Sequence, residues 1–209
     1  MILDDERNTL RSALRARRRQ LTAAERIEAA AGVARSLEQL PEFLTDARIA
    51  GYWAIDGELP LHSTVASLRS RHQQFHLPCI TGTRQLRFAP WRPGIALEPN
   101  RYGIPEPAGV DDEQIGAAEL DVVLLPMLGF DRRGSRLGYG GGYYDSTLAF
   151  LRERDNVARP VLVGVAYAVQ QLDSIERAEW DVPLDYVATE VELIDCWQER
   201  GGDSSGAVE

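Results

Sequence analysis

The sequence predicts one α/β domain of three layers, with helices on both faces of a largely parallel sheet. Continuous apolar runs of strand length recur along the chain, at residues 47–55 (ARIAGYWAI), 120–126 (LDVVLLP) and 159–167 (RPVLVGVAY). Such runs suit strands buried on both faces, as in parallel sheets. Segments with helical spacing alternate with them and no internal repeat appears, which is the pattern of α/β rather than repeat or all-β architecture. The 209 residues suit a single domain, 1–200, followed by a tail, 201–209 (GGDSSGAVE), expected to be disordered.

In chain order, Glu6 to Leu21 has the spacing of a helix with Leu10, Leu14 and Leu21 on one face. A second stripe, Arg7, Arg11, Arg15 and Arg18, lies about 60° away, so these arginines border the buried face. Most of the six arginines between Arg7 and Arg19 read as a solvated face. Thr22 and Glu25 form a capping box for a second helix that ends before Pro41. The strand at 47–55 stops at the turn Asp56-Gly57. Trp53 there suits either core or a site, and Glu58 either a solvated loop or a site. Residues outside the carboxyl ends of parallel strands are where ligands gather.

Residues 62–73 read as a helix, followed by strands at 74–80 and 86–91. His62, His72 and His76 lack metal-ligand spacing. Residues 93–107 (PGIALEPNRYGIPEP) are too rich in proline and glycine for a helix and too long for a hairpin turn. The run at 120–126 then leads into Asp131 to Asp145 (DRRGSRLGYGGGYYD), with glycines at 134, 138, 140, 141 and 142. A helix is expected over 145–154 and a short strand after Asp181 and Asp185. Strand, glycine loop, helix is an arrangement that converges backbone N–H groups on phosphate. The spacing is neither that of the P-loop nor that of the dinucleotide fingerprint. Arg136 adds a planar fork for phosphate oxygens, and a carboxylate such as Asp145 suits magnesium.

Composition narrows the classes. The chain is 44% hydrophobic and 26% charged, with net charge −9, and no run approaches a membrane span. That acidity disfavours non-specific binding to nucleic acid or an anionic membrane. The opening residues lack the plan of a signal peptide, and Cys79 and Cys196 are far apart, so a cytoplasmic protein with reduced thiols is expected. All 23 basic residues are arginine, so no lysine can serve as phosphate ligand, Schiff-base amine or base.

RLGYGGGYYD (136–145), preceded by LLPMLGFDRRG (124–134), closely resembles the signature of the 5-formyltetrahydrofolate cyclo-ligase family, over roughly Arg7 to Thr189. The resemblance implies a fold like that of sugar isomerases and CoA transferases. It also implies ATP- and magnesium-dependent cyclisation of 5-formyltetrahydrofolate to 5,10-methenyltetrahydrofolate by a monomer whose partners are small molecules. RNTLR (7–11) matches the family's ATP-contacting segment, which brings in Arg7 and Arg11. With them come Arg136, Leu137, Gly138, Tyr139, Gly140, Gly141, Gly142, Tyr143 and Tyr144 for ATP. AIDGEL (54–59) resembles the folate-binding stretch, in which the matching glutamate binds the pterin. The implied substrate set is Trp53, Glu58, Tyr102, Tyr139, Gly142 and Tyr143. WDVPLD (180–185) resembles the C-terminal motif, from which Asp185 is expected to join Asp145 on magnesium, with Arg136 and Asp145 as the catalytic pair.

Two positions depart from the family pattern, Arg7 and Gly141, where lysine is common in members. Three other readings stand beside the main one. They are a reduced-folate-binding protein without turnover, a sugar-phosphate or CoA enzyme of related fold, and an RNA-binding module built on the arginine-rich helix. The last is opposed by net acidity and by the absence of aromatics interleaved in that helix.

Overall fold

The computed structural model describes residues 2–154 and 159–201. Its helices are α1 (Ile2–Arg19), α2 (Ala23–Leu37), α3 (Pro41–Thr45), α4 (His62–Ser70), α5 (Tyr143–Thr147) and α6 (Cys196–Gly201). Its strands are β1 (Arg48–Ala50), β2 (Gln74–Ile80), β3 (Leu86–Pro90), β4 (Leu97–Pro99), β5 (Pro105–Pro107) and β6 (Val122–Pro126). They continue with β7 (Gly129–Phe130), β8 (Arg136–Leu137), β9 (Val161–Val165), β10 (Tyr186–Ala188) and β11 (Leu193–Asp195).

Seven strands form one sheet in the order β11-β10-β9-β6-β1-β2-β3. The five inner strands run parallel, and β3 and β11 close the edges antiparallel. The fold class expected from the apolar runs is borne out. Along β6, Val122 and Leu124 enter one core and Val123 and Leu125 the other, because successive side chains point to opposite faces. The first core is roofed by α2 and α4 through Ala29, Val33, Leu37, Val65 and Leu68. The second is roofed by short pieces, including Leu148 and Leu151 after α5 and Cys196 of α6.

Several elements are shorter than their apolar runs. Only Arg48–Ala50 of the 47–55 run pairs as a strand, since after Gly51 the chain leaves the sheet to form the Asp56-Gly57 turn. The helix expected over 145–154 is the five-residue α5 followed by a 3-10 turn at Ala149–Leu151. The proline-rich segment 93–107 holds a two-stranded antiparallel ribbon, β4 with β5, in which prolines occupy ribbon ends. The capping box is present, with Thr22 Oγ1 accepting from Glu25 N and Glu25 Oε2 accepting from Thr22 N. Gly201 ends α6, while 202–209, the rest of the expected tail, lie outside the described residues. The three histidines stay apart, with His62 and His72 at the surface and His76 buried on β2. Among the described residues no helix is long and apolar enough to cross a membrane.

The sheet order reverses direction between β1 and β6. From β1 the chain steps to β2 and β3 on one side, then returns to β6, β9 and β10 on the other. The loops leaving neighbouring β1 and β6 therefore diverge and leave a crevice outside their carboxyl ends, where ligands bind in open α/β sheets.

Asp185 is fully buried before β10, at the opposite, amino-terminal end of the strands. Its Oδ2 accepts from Leu162 N at 2.7 Å, and its Oδ1 from Trp197 Nε1 at 2.8 Å and from Arg154 Nη2 at 2.7 Å. Burial pushes this carboxyl above its usual range, opposed first by the Arg154 charge. Asp185→Ala would leave the Arg154 guanidinium buried without its carboxylate. A loss of about 3–5 kcal/mol in unfolding free energy is expected, read by urea denaturation. Asp185→Asn, which keeps an acceptor for Leu162, should lose less, and wild-type stability in both variants would refute this role.

Candidate active site

The loops after β1 and β6 meet over the crevice, joined by a buried arginine from α1. Arg18 is 1% exposed. Its Nη1 donates to the Tyr139 hydroxyl at 2.6 Å, and its Nη2 donates to Asp56 O at 2.7 Å and Asp56 Oδ2 at 3.1 Å. Asp56 holds a positive φ of 47° while also accepting from Arg19 at 3.0 Å. That conformation is uncommon for a residue with a side chain, but aspartate tolerates it better than most. The Tyr139 hydroxyl, receiving from Arg18, donates in turn to the carboxylate of Glu58.

Glu58 is therefore a buried carboxylate, not a solvated loop charge. It is 7% exposed, and its Oε2 accepts from Ile55 N at 2.9 Å. Burial raises its pKa, partly offset by the Tyr139 and Ile55 hydrogen bonds. Burial also raises the Tyr139 phenol, reinforced by the Glu58 charge, so tyrosine keeps its proton. Trp53 is not core: it is partly exposed and packs edge-on to Trp91 at 5.7 Å between ring centroids.

The glycine loop leaves the β7–β8 hairpin and turns into α5. Gly140 and Gly142 adopt positive φ values of 96° and 70°, which residues with a Cβ rarely take. On one side of the loop stands α1. Arg11 Nε donates to Gly138 O at 3.0 Å and Nη1 to Asn8 Oδ1 at 2.7 Å, and the Arg11 guanidinium lies across from Gly140. Arg7 Nη2 donates to Asp181 Oδ2 at 3.0 Å, while its buried Nε has no partner among the described residues. On the other side a cleft of about 430 Å³ is bounded by Gly140, Gly141 and Tyr143, by Thr83 and Arg84 of the β2–β3 turn, and by Arg101 and Tyr102 of the β4–β5 turn. Tyr102 and Tyr143 touch through their hydroxyls at 2.9 Å.

Four expected positions take other roles. Arg136 is 7% exposed, with Nη1 donating to Val182 O and Nη2 to Asp145 Oδ1. With both terminal nitrogens committed, it clamps Asp145 rather than facing a phosphate. Leu137 is a core side chain, packed with Leu14 and Leu128, and only its backbone belongs to the loop. Tyr144 packs against the second core, and burial raises its phenol. Asp185 does not join Asp145, since its oxygens are taken at the far end of the sheet. The carboxylate on the site side is Asp181. Asp145 Oδ1 accepts from Val182 N at 3.3 Å, next in sequence to Asp181. Asp145 Oδ2 and Asp181 Oδ1 accept no bond from the described residues.

Sequence reasoning missed Arg18 and Asp181. The stripe of arginines bordering the apolar face of α1 carried the signal for Arg18. Four-residue spacing alone did not say which aspartate of WDVPLD faced the site.

Comparison with known proteins places this geometry. The profile of the 5-formyltetrahydrofolate cyclo-ligase family matches residues 4–190. The chain is 32% identical over 181 residues to the 5-formyltetrahydrofolate cyclo-ligase of Haemophilus influenzae, covering 86% of this chain and 95% of that protein. It is 31% identical over 178 residues to the enzyme of the same name from Escherichia coli K12, covering 84% and 96%. Among solved structures it is similar to the 5,10-methenyltetrahydrofolate synthetase of Aquifex aeolicus, with a TM-score of 0.77, 29% identity, and 91% and 92% of the two chains covered. The Mycoplasma pneumoniae synthetase shares the fold, with a TM-score of 0.66, 20% identity and coverage of 88% and 98%.

The raised pKa of Glu58 means that the folded protein holds this proton more tightly than the unfolded chain does. Its contribution to stability is thus fully present below the unfolded carboxylate range and is lost as pH rises through the folded pKa. Glu58→Gln should melt a few degrees above wild type near about pH 8, with the difference closing toward about pH 4. Thermal melts across that range check this, and a difference independent of pH would contradict it.

Proposed function

The chain belongs to the 5-formyltetrahydrofolate cyclo-ligase family, and from that premise we propose that it uses ATP and magnesium to convert 5-formyltetrahydrofolate to 5,10-methenyltetrahydrofolate. ADP and phosphate are released. The observation that carries the reading is that one loop, residues 136–145, joins two differently equipped sites. Its Tyr139 hydroxyl reaches the buried Glu58, while Gly138 to Gly140 face Arg11, and Asp145 borders the segment of Asp181.

The chemical difficulty is the formamide. Nitrogen donation quenches the electrophilicity of its carbon, and its oxygen is a poor leaving group. Transfer of the γ-phosphoryl group to that oxygen, with ADP leaving, removes both obstacles. The nitrogen at position 10 then attacks the formyl carbon, losing its proton, and the carbon–oxygen bond breaks to release phosphate. Such transfer asks for positioning and charge compensation more than for a protein nucleophile.

The residues supply those two things. Glu58, Tyr139 and Arg18 form an ordered chain of donors ending in a carboxylate, suited to the N–H groups of a pterin ring. Arg11 supplies positive charge beside Gly138 and Gly140, with open space at Gly138, and Arg7 adds a second charge at Asp181. Arg136 holds Asp145 in place. The open oxygens of Asp145 and Asp181, hard donors on either side of Val182, fit magnesium. Among the described residues no group of three or more His, Cys, Asp or Glu side chains gathers to hold a metal, so its remaining ligands would come from phosphate and water. Bound there, magnesium would offset charge on the phosphate oxygens.

The direct test is the near-ultraviolet band of the methenyl product, followed with purified protein, 5-formyltetrahydrofolate and magnesium. Its appearance only when ATP is added supports the reading. Binding of both substrates without the band would instead identify a folate-sequestering protein. Within an active preparation, Arg11→Ala should lose about tenfold to a hundredfold in ATP affinity or rate, the value of one charge-assisted bond, and Arg136→Ala, which releases Asp145, should lose a similar factor in rate at limiting magnesium. Arg17→Ala, on the exposed face of α1, should not. Asp181→Asn should raise the magnesium concentration needed for half-maximal rate by about tenfold or more, and an unchanged requirement would remove Asp181 from the metal site.

A further inference from the structure

Four phenols surround Glu58. Tyr139 donates to its carboxylate, and the Tyr167 hydroxyl donates to its backbone carbonyl at 3.5 Å. Tyr52 and Tyr144 lie near enough that the Glu58 charge adds to burial in raising them. Burial keeps all four phenols neutral. The charged groups that face the carboxylate are Arg18 from α1 and Asp56 from the turn after β1. Asp56 does not cancel Arg18, because its carboxylate is shared with Arg15 at 3.6 Å and with Arg19 at 3.0 Å. Arg18 therefore supplies the positive charge.

Stability alone does not call for that charge. Arg18 is 1% exposed, and its Nε has no partner among the described residues. A buried guanidinium with a donor unmet is costly, whereas well-packed apolar side chains often replace buried charges at no loss. What the charge reaches is Tyr139. Arg18 Nη1 donates to its hydroxyl at 2.6 Å, and the guanidinium carbon lies 5.7 Å from the centre of its ring. A hydrogen-bond chain polarised at one end strengthens its last bond, here the one from Tyr139 to Glu58. The carboxylate takes that bond and the one from Ile55 N, and lone pairs remain for further N–H donors.

We propose that Arg18 is a positioning residue of the active site, which acts through the Tyr139 hydroxyl to keep Glu58 an open acceptor for the N–H edge of the pterin. The proposal rests on the cyclo-ligase reading for its substrate.

The test is calorimetric binding of 5-formyltetrahydrofolate without ATP, from about pH 5 to about pH 8. Wild-type affinity should fall on the acid side as Glu58 takes up its proton. In Arg18→Gln the fall should begin about one pH unit higher, so that acid-side binding is up to about tenfold weaker than in wild type. Tyr139→Phe, which cuts the link with Arg18 in place, should move the inflection the same way, and adding Arg18→Gln to it should move it little further. Arg18→Lys, which keeps the charge and loses the fork, should melt lower yet titrate near wild type. Arg19→Gln, which loses a bond to Asp56 rather than to Tyr139, should not move the inflection. Should Arg18→Gln fail to fold, Tyr139→Phe and Arg18→Lys carry the same test.

An inflection unmoved in Arg18→Gln and Tyr139→Phe, or moved as far in Arg19→Gln, would overturn the proposal. So would weakening by the same factor at every pH, the mark of a merely structural tie. In the cyclisation assay the acid-side loss should fall on KM for folate, and a loss on KM for ATP instead would count against Arg18 in this role. Wild type failing to bind the folate would overturn the cyclo-ligase reading and the proposal with it. Shifted binding without methenyl product would overturn the cyclisation alone and leave the role of Arg18 standing.

Discussion

The structure turns on a charge placed where water cannot reach it. Burying a guanidinium is costly unless its donors find fixed acceptors. Arg18 meets that condition at its two terminal nitrogens, with the Tyr139 hydroxyl, the Asp56 carbonyl and the Asp56 carboxylate, while its Nε has no partner among the described residues. Those acceptors belong to the loop after β1 and the loop after β6, while Arg18 belongs to α1. The arginine therefore ties three stretches distant in sequence at the place where the sheet order reverses. Losing it would remove the donor that joins the Tyr139 hydroxyl to the Asp56 carbonyl and loosen both walls of the crevice, although Asp56 would keep its pairs with Arg15 and Arg19. Arg26 extends the tie by donating to the Arg18 carbonyl at 3.1 Å, anchoring the start of α2 to the end of α1.

This arrangement explains why Glu58 can be a buried carboxylate. An isolated acid at that depth would take up a proton and lose its use as an anionic acceptor for N–H groups. Tyr139 donates to it, and the Arg18 charge stands one hydrogen bond away, so desolvation is countered without a direct ion pair that would consume the carboxylate. Asp145 follows the same logic at the other end of the loop. Arg136 engages one oxygen and leaves the second open. In both cases an arginine holds a carboxylate in register while part of its valence remains for a ligand.

The parts legible in sequence were those governed by local periodicity. Double-sided burial of Val122 to Leu125 follows from an uninterrupted apolar run, and the capping box at Thr22 and Glu25 is a four-residue device. The glycine loop was legible because its motif is dense. What failed to show was set by tertiary partners. A five-residue α5 in place of 145–154 reflects packing of Leu148 and Leu151 into the core through a 3-10 turn, a geometry helical spacing does not distinguish. Asp181 and Asp185 are equivalent as letters, yet the first lies next to Val182, which bonds Asp145, and the second is buried at the amino-terminal end of β9 and β10. One ends beside Arg7 and the other beside Arg154. Arg18 was hidden among six similar residues, and only the depth of its pocket separates it from Arg17.

The absence of lysine has a structural meaning that composition alone does not give. Arg18 serves a hydroxyl, a carbonyl and a carboxylate at once through two nitrogens held in one plane. Arg136 spans a carbonyl and a carboxylate, and Arg132 bridges Glu192 and Glu199. An ammonium is a compact point charge with rotating donors, and it loses its proton more readily when buried. At these posts the fork sets the angle between its partners as well as their charge balance. A lysine at Arg18 would keep one contact and release the others, so the crevice is shaped by the planarity of guanidinium groups as much as by their charge.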